Sequence, residues 1–444
     1  MDLRVAITKT TAVILAVVVI IAVAGVAWYF TSQVPPTTTP TSPKPTTTTP
    51  TTSPSPTTTP KPTKNAIAIV YDIGGRGDLS FNDMAYLGGS KAAKDFGLEL
   101  KEVQSVKEAD YLPNLRTLAK EGRYVVIVAV GFLMTEAVTT VADEFPDQLF
   151  AIIDGYIPDK KNVLSVMFKE HEGSALVGAL AAMIAHQYGY SAVGVVLGME
   201  IPVLYKFEAG YYWGIRYGEE VFKQKTGTSI TPLKILYTYT GAFNDPAKGK
   251  TATDAQLGQG AGVVYNVAGA TGLGIFESVE EYCKKNGKDY GPPFAIGVDA
   301  DQDWIKPGYI IASMMKRVDV GVYTAVKNAL DYYAGKISTY GGVLELGLKE
   351  GGISVSTLED LDTFLAIAIQ AGRTVNRDEI YNKVKTMRDS IPSWIWDEVK
   401  KLEEMIKTNP SGVKVSGLSF ADIAAKIPYT SDTIKEVRTA LNVG

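Results

Sequence analysis

From Asn65 onward the chain alternates short apolar runs with stretches of helical periodicity, a pattern that restricts it to parallel sheets layered with helices. Ten runs carry it: AIAIVYDI, LELKEVQSV, YVVIVAV, LFAIID, NVLSVMF, AVGVVLG, LKILYTYT, AGVVYNVAG, PFAIGVD and IIASMM. Most lack polar interruption, as strands covered on both faces do. Roughly 300 residues of such repeats exceed what one hydrophobic core holds, so two lobes are predicted. Ligands of open α/β sheets gather beyond the carboxyl ends of the strands. Those ends are polar here: Asp72, Asp154 and Asp299 each close a run, and Gly269 closes another. One such Asp is ordinarily a helix cap or turn residue. Three at equivalent places make a set of acceptors suited to the amide, amino or hydroxyl donors of a small polar molecule.

The residues ahead of this region read differently. Residues 11–30, TAVILAVVVIIAVAGVAWYF, are apolar and uncharged, and about twenty such residues cross a bilayer core. Arg4 and Lys9 precede the run against one acid, Asp2, which places the N-terminus in the cytoplasm and everything after residue 30 outside. Trp28 and Tyr29 fall where interfacial aromatics stand. A cleaved signal peptide with a small-residue site at Ala22–Gly25 is the competing reading, but the apolar run is longer than such a region needs. No early cysteine offers itself for a lipid. Residues 31–64 are almost wholly Thr, Pro and Ser, the composition of a semi-rigid extended stalk.

Composition removes several function classes. A net charge of -4 gives no general basic excess for nucleic acid. The single cysteine, Cys283, allows no intramolecular disulfide or cysteine-based metal cluster, and no metal or other cofactor is expected. The two histidines, His171 and His186, both fall in helical patterns and in no catalytic motif. GGRGDLS, from Gly74, lacks the third glycine of a dinucleotide fingerprint, and DPAKGKT (245–251) has Asn244 where a phosphate loop needs glycine. GATGLG (269–274) reads as a strand-to-helix turn whose glycines admit a ligand or pack helix on sheet.

Taken together, DIGGRGDLSFND, GFLMTEAV, FPDQLFAIIDG, NVLSVMFKEHEGSALVGALAA, GAFNDPAKGK, GAGVVYNVAGATGLG, IGVDADQ and ASMMKRVDVGVY resemble, in order, the basic membrane protein family of substrate-binding proteins. The resemblance spans about residues 66 to 355. It implies an α/β, two-lobed periplasmic-binding-protein-like fold of the ribose-binding type, with lobe 1 about 65–168 and 295–320 and lobe 2 about 169–294 and 321–355. Residues 356–444 read as a helical C-terminal extension. The resemblance also implies a nucleoside held between Phe81 from one lobe and Phe243 from the other. Asp72 and Asn82 would stand near the base and cleft wall and Asp154 at the base edge. Asp299 and Lys316 would take the ribose hydroxyls, and Gly269 would line the pocket, with Ser80 a further member. Ser80 and Asn82 are expected to cap the helix after the glycine-rich turn or to meet the ligand.

The expected function is therefore that of an extracytoplasmic receptor of an ABC importer, not an enzyme. It would be anchored in the cell membrane by the N-terminal helix, and would pass a nucleoside, purine by resemblance, to a permease and its ATPase. Three readings compete with it: a receptor for a sugar or other small polar solute, a nucleoside-processing enzyme built on Asp72, Asp154 and Asp299, and a transcription regulator. The last lacks a helix-turn-helix segment before Asn65.

Overall fold

The computed structural model describes residues 64–370, 373–426 and 428–443. The expected membrane segment, and all of the 31–64 tract but Lys64, lie outside the described residues. Among the described residues no helix is long and apolar enough to cross a membrane.

The first lobe is built from β1 (Ala66–Tyr71), α1 (Phe81–Phe96), β2 (Glu99–Gln104), α2 (Tyr111–Glu121), β3 (Tyr124–Val130), α3 (Thr135–Glu144), β4 (Phe150–Ile153) and β5 (Val163–Phe168). Strands β1, β3 and β4 are buried at every position, as uninterrupted apolar runs require when helices cover both sheet faces. The chain then crosses into a second lobe with the same plan. Its elements are α4 (Glu170–Gln187), β6 (Ala192–Leu197), α5 (Pro202–Thr226), β7 (Lys234–Tyr239), α6 (Pro246–Gly258), β8 (Ala261–Val267), α7 (Gly272–Lys285), β9 (Phe294–Asp299) and β10 (Ile310–Lys316). It returns as α8 (Val318–Tyr333), which packs on the first lobe, and as β11 (Gly342–Leu346), and crosses again to β12 (Ile353–Val355). The sheets run β11-β5-β4-β3-β1-β2 and β12-β10-β9-β8-β6-β7. Pairing is parallel throughout except between β12 and β10.

All ten predicted strands are present, but the expected lobe boundaries need correction. Residues 295–320, expected in the first lobe, belong to the second: β9 pairs with β8 and β10 with β9 in the second sheet. Of residues 321–355, expected in the second lobe, α8 packs on the first and β11 pairs with β5 there, and only β12 joins the second sheet. Sheet continuity decides this: β9 and β10 extend a ladder that β8 has begun, so the chain leaves the second sheet only after Lys316.

Two features set the second lobe's shape. Helices α4 and α5 approach at backbone distance because Gly210, Gly214 and Gly218 recur every four residues on one face. A Cβ at Gly210 would lie 2.1 Å from the His171 carbonyl oxygen, and one at Gly214 the same distance from that of Ala175. The C-terminal extension is helical, as expected: α9 (Leu358–Gln370), α10 (Arg377–Asp389), α11 (Ser393–Thr408), α12 (Phe420–Ala424) and α13 (Ser431–Ala440), with the hairpin β13 (Lys414–Val415) and β14 (Leu418–Ser419). It docks on the second lobe, with α11 against α4 and α13 against α5. There Arg438 grips the fully buried Glu208 carboxylate at 2.8 Å, and Trp213 Nε1 donates to the Leu418 carbonyl.

Candidate functional site

The carboxyl ends of both sheets face one cavity, the place where open α/β sheets take their ligands. Asp72, Phe81, Asn82, Asp154, Phe243, Gly269, Asp299 and Lys316 all line it. Ser80 does not; its hydroxyl donates to Asp299 Oδ2 at 2.8 Å and so holds a wall residue from behind. Eight of the nine residues singled out from sequence thus meet at one place, and the ninth touches them.

The turn after β1 explains how Phe81 reaches the cavity. Asp78, rather than Ser80 or Asn82, caps α1: its carboxylate accepts from the backbone N–H groups of Ser80, Asn82 and Asp83 at 2.9–3.1 Å. Ser80 occupies the N-cap position but makes no capping bond, because its hydroxyl is used across the cleft. The expected capping role of Ser80 and Asn82 therefore passes to a residue that the sequence reading left aside. Asp83 folds the loop back by accepting from the Gly77 and Leu79 N–H groups, both at 3.0 Å. Leu79 is held at a positive φ of 52°, and Phe81 begins the helix facing the cavity.

The polar wall presents acceptors. Asn82 Nδ2 donates to Asp72 Oδ1 at 2.9 Å and to Asp78 Oδ2 at 3.2 Å. That arrangement fixes the amide orientation, since a flip would set its oxygen against two carboxylates. Asn82 Oδ1 and Asp154 Oδ1 are buried and have no hydrogen-bond partner among the described residues. Asp154 and Asp299 adopt left-handed backbone, with φ of 69° and 65°, a conformation rare outside glycine and seen most where a site requires it. Burial pushes Asp299 up to about 6, against the pull of Lys316 and the Ser80 hydroxyl. Burial also lifts Asp78 to about 7, and Asp83 adds repulsion.

Lys316, the last residue of β10, is the cation of the cavity. Its Nζ lies 2.6 Å from Asp154 Oδ2 and 2.8 Å from Glu170 Oε1. Burial opposes its charge, but Asp154, Glu170 and Asp299 outweigh that and raise its pKa. Its ammonium also sits 5.1 Å from the Phe81 ring centroid. Glu170 and Lys206 were missed in the sequence because charged residues inside helical patterns ordinarily read as surface.

Phe243 enters from the loop between β7 and α6 and rests over Gly198, where a Cβ would stand 2.2 Å from its Cε1. Within GATGLG, Gly269 lines the cavity. Gly272 and Gly274 pack instead, against Asn266 and the Pro246 carbonyl, so both readings of that motif hold at different glycines. Hydrogen bonds join the lobes at the cleft: Ser80 to Asp299 and to the Val298 carbonyl, Gln302 Nε2 to the Leu79 carbonyl at 3.0 Å, Asn244 Nδ2 to the Ile73 carbonyl at 3.1 Å, and Lys316 Nζ to Asp154 Oδ2 at 2.6 Å. The histidines stand apart from the cavity. Burial pushes His171 down to about 3, and its ring stacks on Phe420.

Residues 64–388 match the sequence profile of the Bmp family, described as ABC transporter substrate-binding protein PnrA-like. The chain belongs to the Bmp family of ABC-transporter substrate-binding proteins. The profile runs past residue 355, into α10. Among relatives, an uncharacterized lipoprotein of Pyrococcus abyssi is 39% identical over 386 residues, 86% of this chain and 89% of that protein. The ABC transporter nucleoside-binding protein BmpA of Lactococcus lactis is 30% identical, over 69% of this chain and 85% of its own. A crystal structure of a solute-binding protein of an ABC transporter system from Aeropyrum pernix K1 is 35% identical, covers 85% of this chain and 97% of its own, and superposes with a TM-score of 0.73. This Bmp-family chain thus has the two-lobed binding-protein architecture and the role of an ABC-transporter solute receptor. The Pyrococcus relative's lipoprotein name contrasts with this chain's lone cysteine, Cys283, which is buried in the second lobe.

Proposed function

We propose that this protein captures nucleosides, purine nucleosides by preference, between Phe81 and Phe243 and delivers them to a membrane permease driven by its ATPase. The observation that carries the reading is the cavity itself, which takes one phenyl ring from each lobe and an acceptor-rich rim of Asp72, Asn82, Asp154 and Asp299. A flat heterocycle offers two faces to such rings, and stacking is worth about 1 to 3 kcal/mol per base. Asp299 and Lys316 are the groups for the ribose hydroxyls, because a carboxylate accepts from two neighbouring hydroxyls at once. The nucleoside-binding name of the Lactococcus relative agrees with this assignment. Residues 11–30 serve as the membrane anchor in place of a lipid, with the binding domain outside the cell. Calorimetry of the purified protein against purine and pyrimidine nucleosides, free bases and pentoses tests the reading. Micromolar or tighter binding of a purine nucleoside is expected, and binding of sugars alone would refute it.

A further inference from the structure

Behind the cavity wall, Glu170 and Lys206, neither of which lines the cavity, continue the ion pair that Asp154 and Lys316 form in it. Glu170 is the first residue of α4, where the chain first passes between lobes, and it is wholly inaccessible. Its carboxylate bridges two ammonium groups, Lys316 Nζ at 2.8 Å and Lys206 Nζ at 2.5 Å. Lys206, from α5, also donates to the carbonyl of Phe168 at 2.8 Å, the last residue of β5. Lys316 closes β10, where the chain passes back. Asp154, Lys316, Glu170 and Lys206 therefore alternate in sign, sum to zero charge, and tie two of the interlobe crossings to the cleft wall. Burial works against the Glu170 charge, yet the two ammonium groups hold its pKa below the ordinary range. An ammonium has three donors. Asp154 engages one through a hydrogen bond and Glu170 Oε1 stands 2.8 Å away as an ion pair, which leaves a donor for whatever occupies the cavity.

We propose that Glu170, backed by Lys206, is a positioning residue for ligand capture: it holds the Lys316 ammonium at the cleft wall with one donor free for the ligand's hydroxyls. Without the Glu170 charge, Asp154 is the remaining carboxylate bound to Lys316, and the ammonium shifts toward it and away from the ligand. The inference rests on the assignment of Lys316 to the ribose. A role in charge balance alone would weaken all ligands alike, whereas positioning is selective for those with hydroxyls.

The test uses full-length protein, wild type and Glu170→Gln, titrated calorimetrically with adenosine, guanosine, inosine and their 2′,3′-dideoxy counterparts. Loss of one partner of a buried charged pair is expected to weaken ribonucleoside binding by about tenfold or more. The dideoxy compounds should stay within about threefold of their wild-type affinities. Equal losses for both sets overturn the proposal. If wild type binds no nucleoside, the functional reading fails by itself, and crystal structures of the two proteins decide the positioning claim. Lys316 Nζ is expected to move by about 1 Å or more in the variant, enough to break a hydrogen bond of ordinary length, and an unmoved ammonium overturns it. Should Glu170→Gln not fold, Lys206→Met replaces it in both measurements. A smaller ribose-selective loss and a displaced Glu170 carboxylate are then expected, and unselective loss with no displacement refutes the idea.

Discussion

Gly198 offers a way to move the Phe243 ring without touching it. A Cβ at this position would stand 2.2 Å from Cε1 and 2.4 Å from Cδ1 of the ring, while carbon atoms pack at about 3.5 to 4.0 Å. In Gly198→Ala the ring must therefore retreat by more than about 1 Å, because the new methyl belongs to rigid backbone and the phenyl is the part that turns. Gly198 is absent from the glycines at positive φ, so alanine fits its backbone and the perturbation stays with the ring. Phe243 is only half-buried, and stability should change little. If the ring stacks on a base, the loss is about 1 to 3 kcal/mol, or about 5- to 150-fold in Kd. Calorimetry with a purine nucleoside should show a loss in that range, with a melting midpoint within about 3 °C of wild type. Phe243→Ala should lose a similar amount, and the double variant should lose no more than the larger single effect, since both act through one ring. Wild-type affinity in Gly198→Ala, with the ring shown displaced by crystallography, would refute the stacking argument.

Other measurements reach other parts of the molecule. Asp299 stands near 6 through burial, and a carboxylate that accepts ligand hydroxyls binds best when charged. Affinity should hold steady above pH 7 and fall toward about tenfold per unit below pH 6; in Asp299→Asn the residual affinity should flatten over that range, and a slope as steep as wild type would assign the effect elsewhere, with Asp78 the first alternative. Both carboxylates titrate higher folded than unfolded, so the folded state holds more protons between about pH 4 and 7 and, by linkage, the free protein should gain stability as pH falls through that window. The contribution of Asp299, read as the difference between wild type and Asp299→Asn in denaturant melts, should grow as pH falls through this window, and the opposite sign refutes the assignment. At the C-terminal extension, Arg438→Met would strand the fully buried Glu208 carboxylate. Removing one partner of such a pair costs about 3 to 5 kcal/mol, and a loss under about 1 kcal/mol in denaturant unfolding would show that α13 is not held by this pair.

What was legible in the sequence follows from the range of each signal. The ten core strands announce themselves because burial on both faces forces uninterrupted apolar runs. The strands β11 and β12 do not, since β11 lies at a sheet edge with alternating exposure and β12 has three residues. Without β11 the return of the chain to the first sheet goes unseen, and although β9 and β10 read as strands, only their pairing shows which lobe they extend. Cavity residues were legible where a motif marked a strand end, as at Asp72, Asp154 and Asp299. The Asp78 cap was obscured because Ser80, an equally good capping residue type, stands at the N-cap position itself, and its diversion to Asp299 is a contact across 219 residues. The Glu170 and Lys206 pair was obscured for a related reason: only the fold reveals that these two helical charges face inward, toward each other.

The balance of forces at the cleft bears on how a receptor of this shape can respond to its ligand. The lobes touch there through the hydrogen bonds made by Ser80, Gln302 and Asn244 and through the buried Lys316–Asp154 ion pair. Each neutral hydrogen bond supplies only about 1 kcal/mol net toward closure, with water ready to replace it on opening, and the attraction within the ion pair is offset by the desolvation of its two charges. Moving a two-state equilibrium from mostly open to mostly closed takes about 5.5 kcal/mol of differential binding. A base stacked between rings of opposite lobes contributes only when both are in place, and so does a ribose that bridges Asp299 and Lys316 of the second lobe to the first lobe's Asp154 wall. Both interactions favour the closed form over the open one, which is the condition for a ligand to shift the population at all. A solute that filled the cavity while touching one lobe alone would bind without closing it.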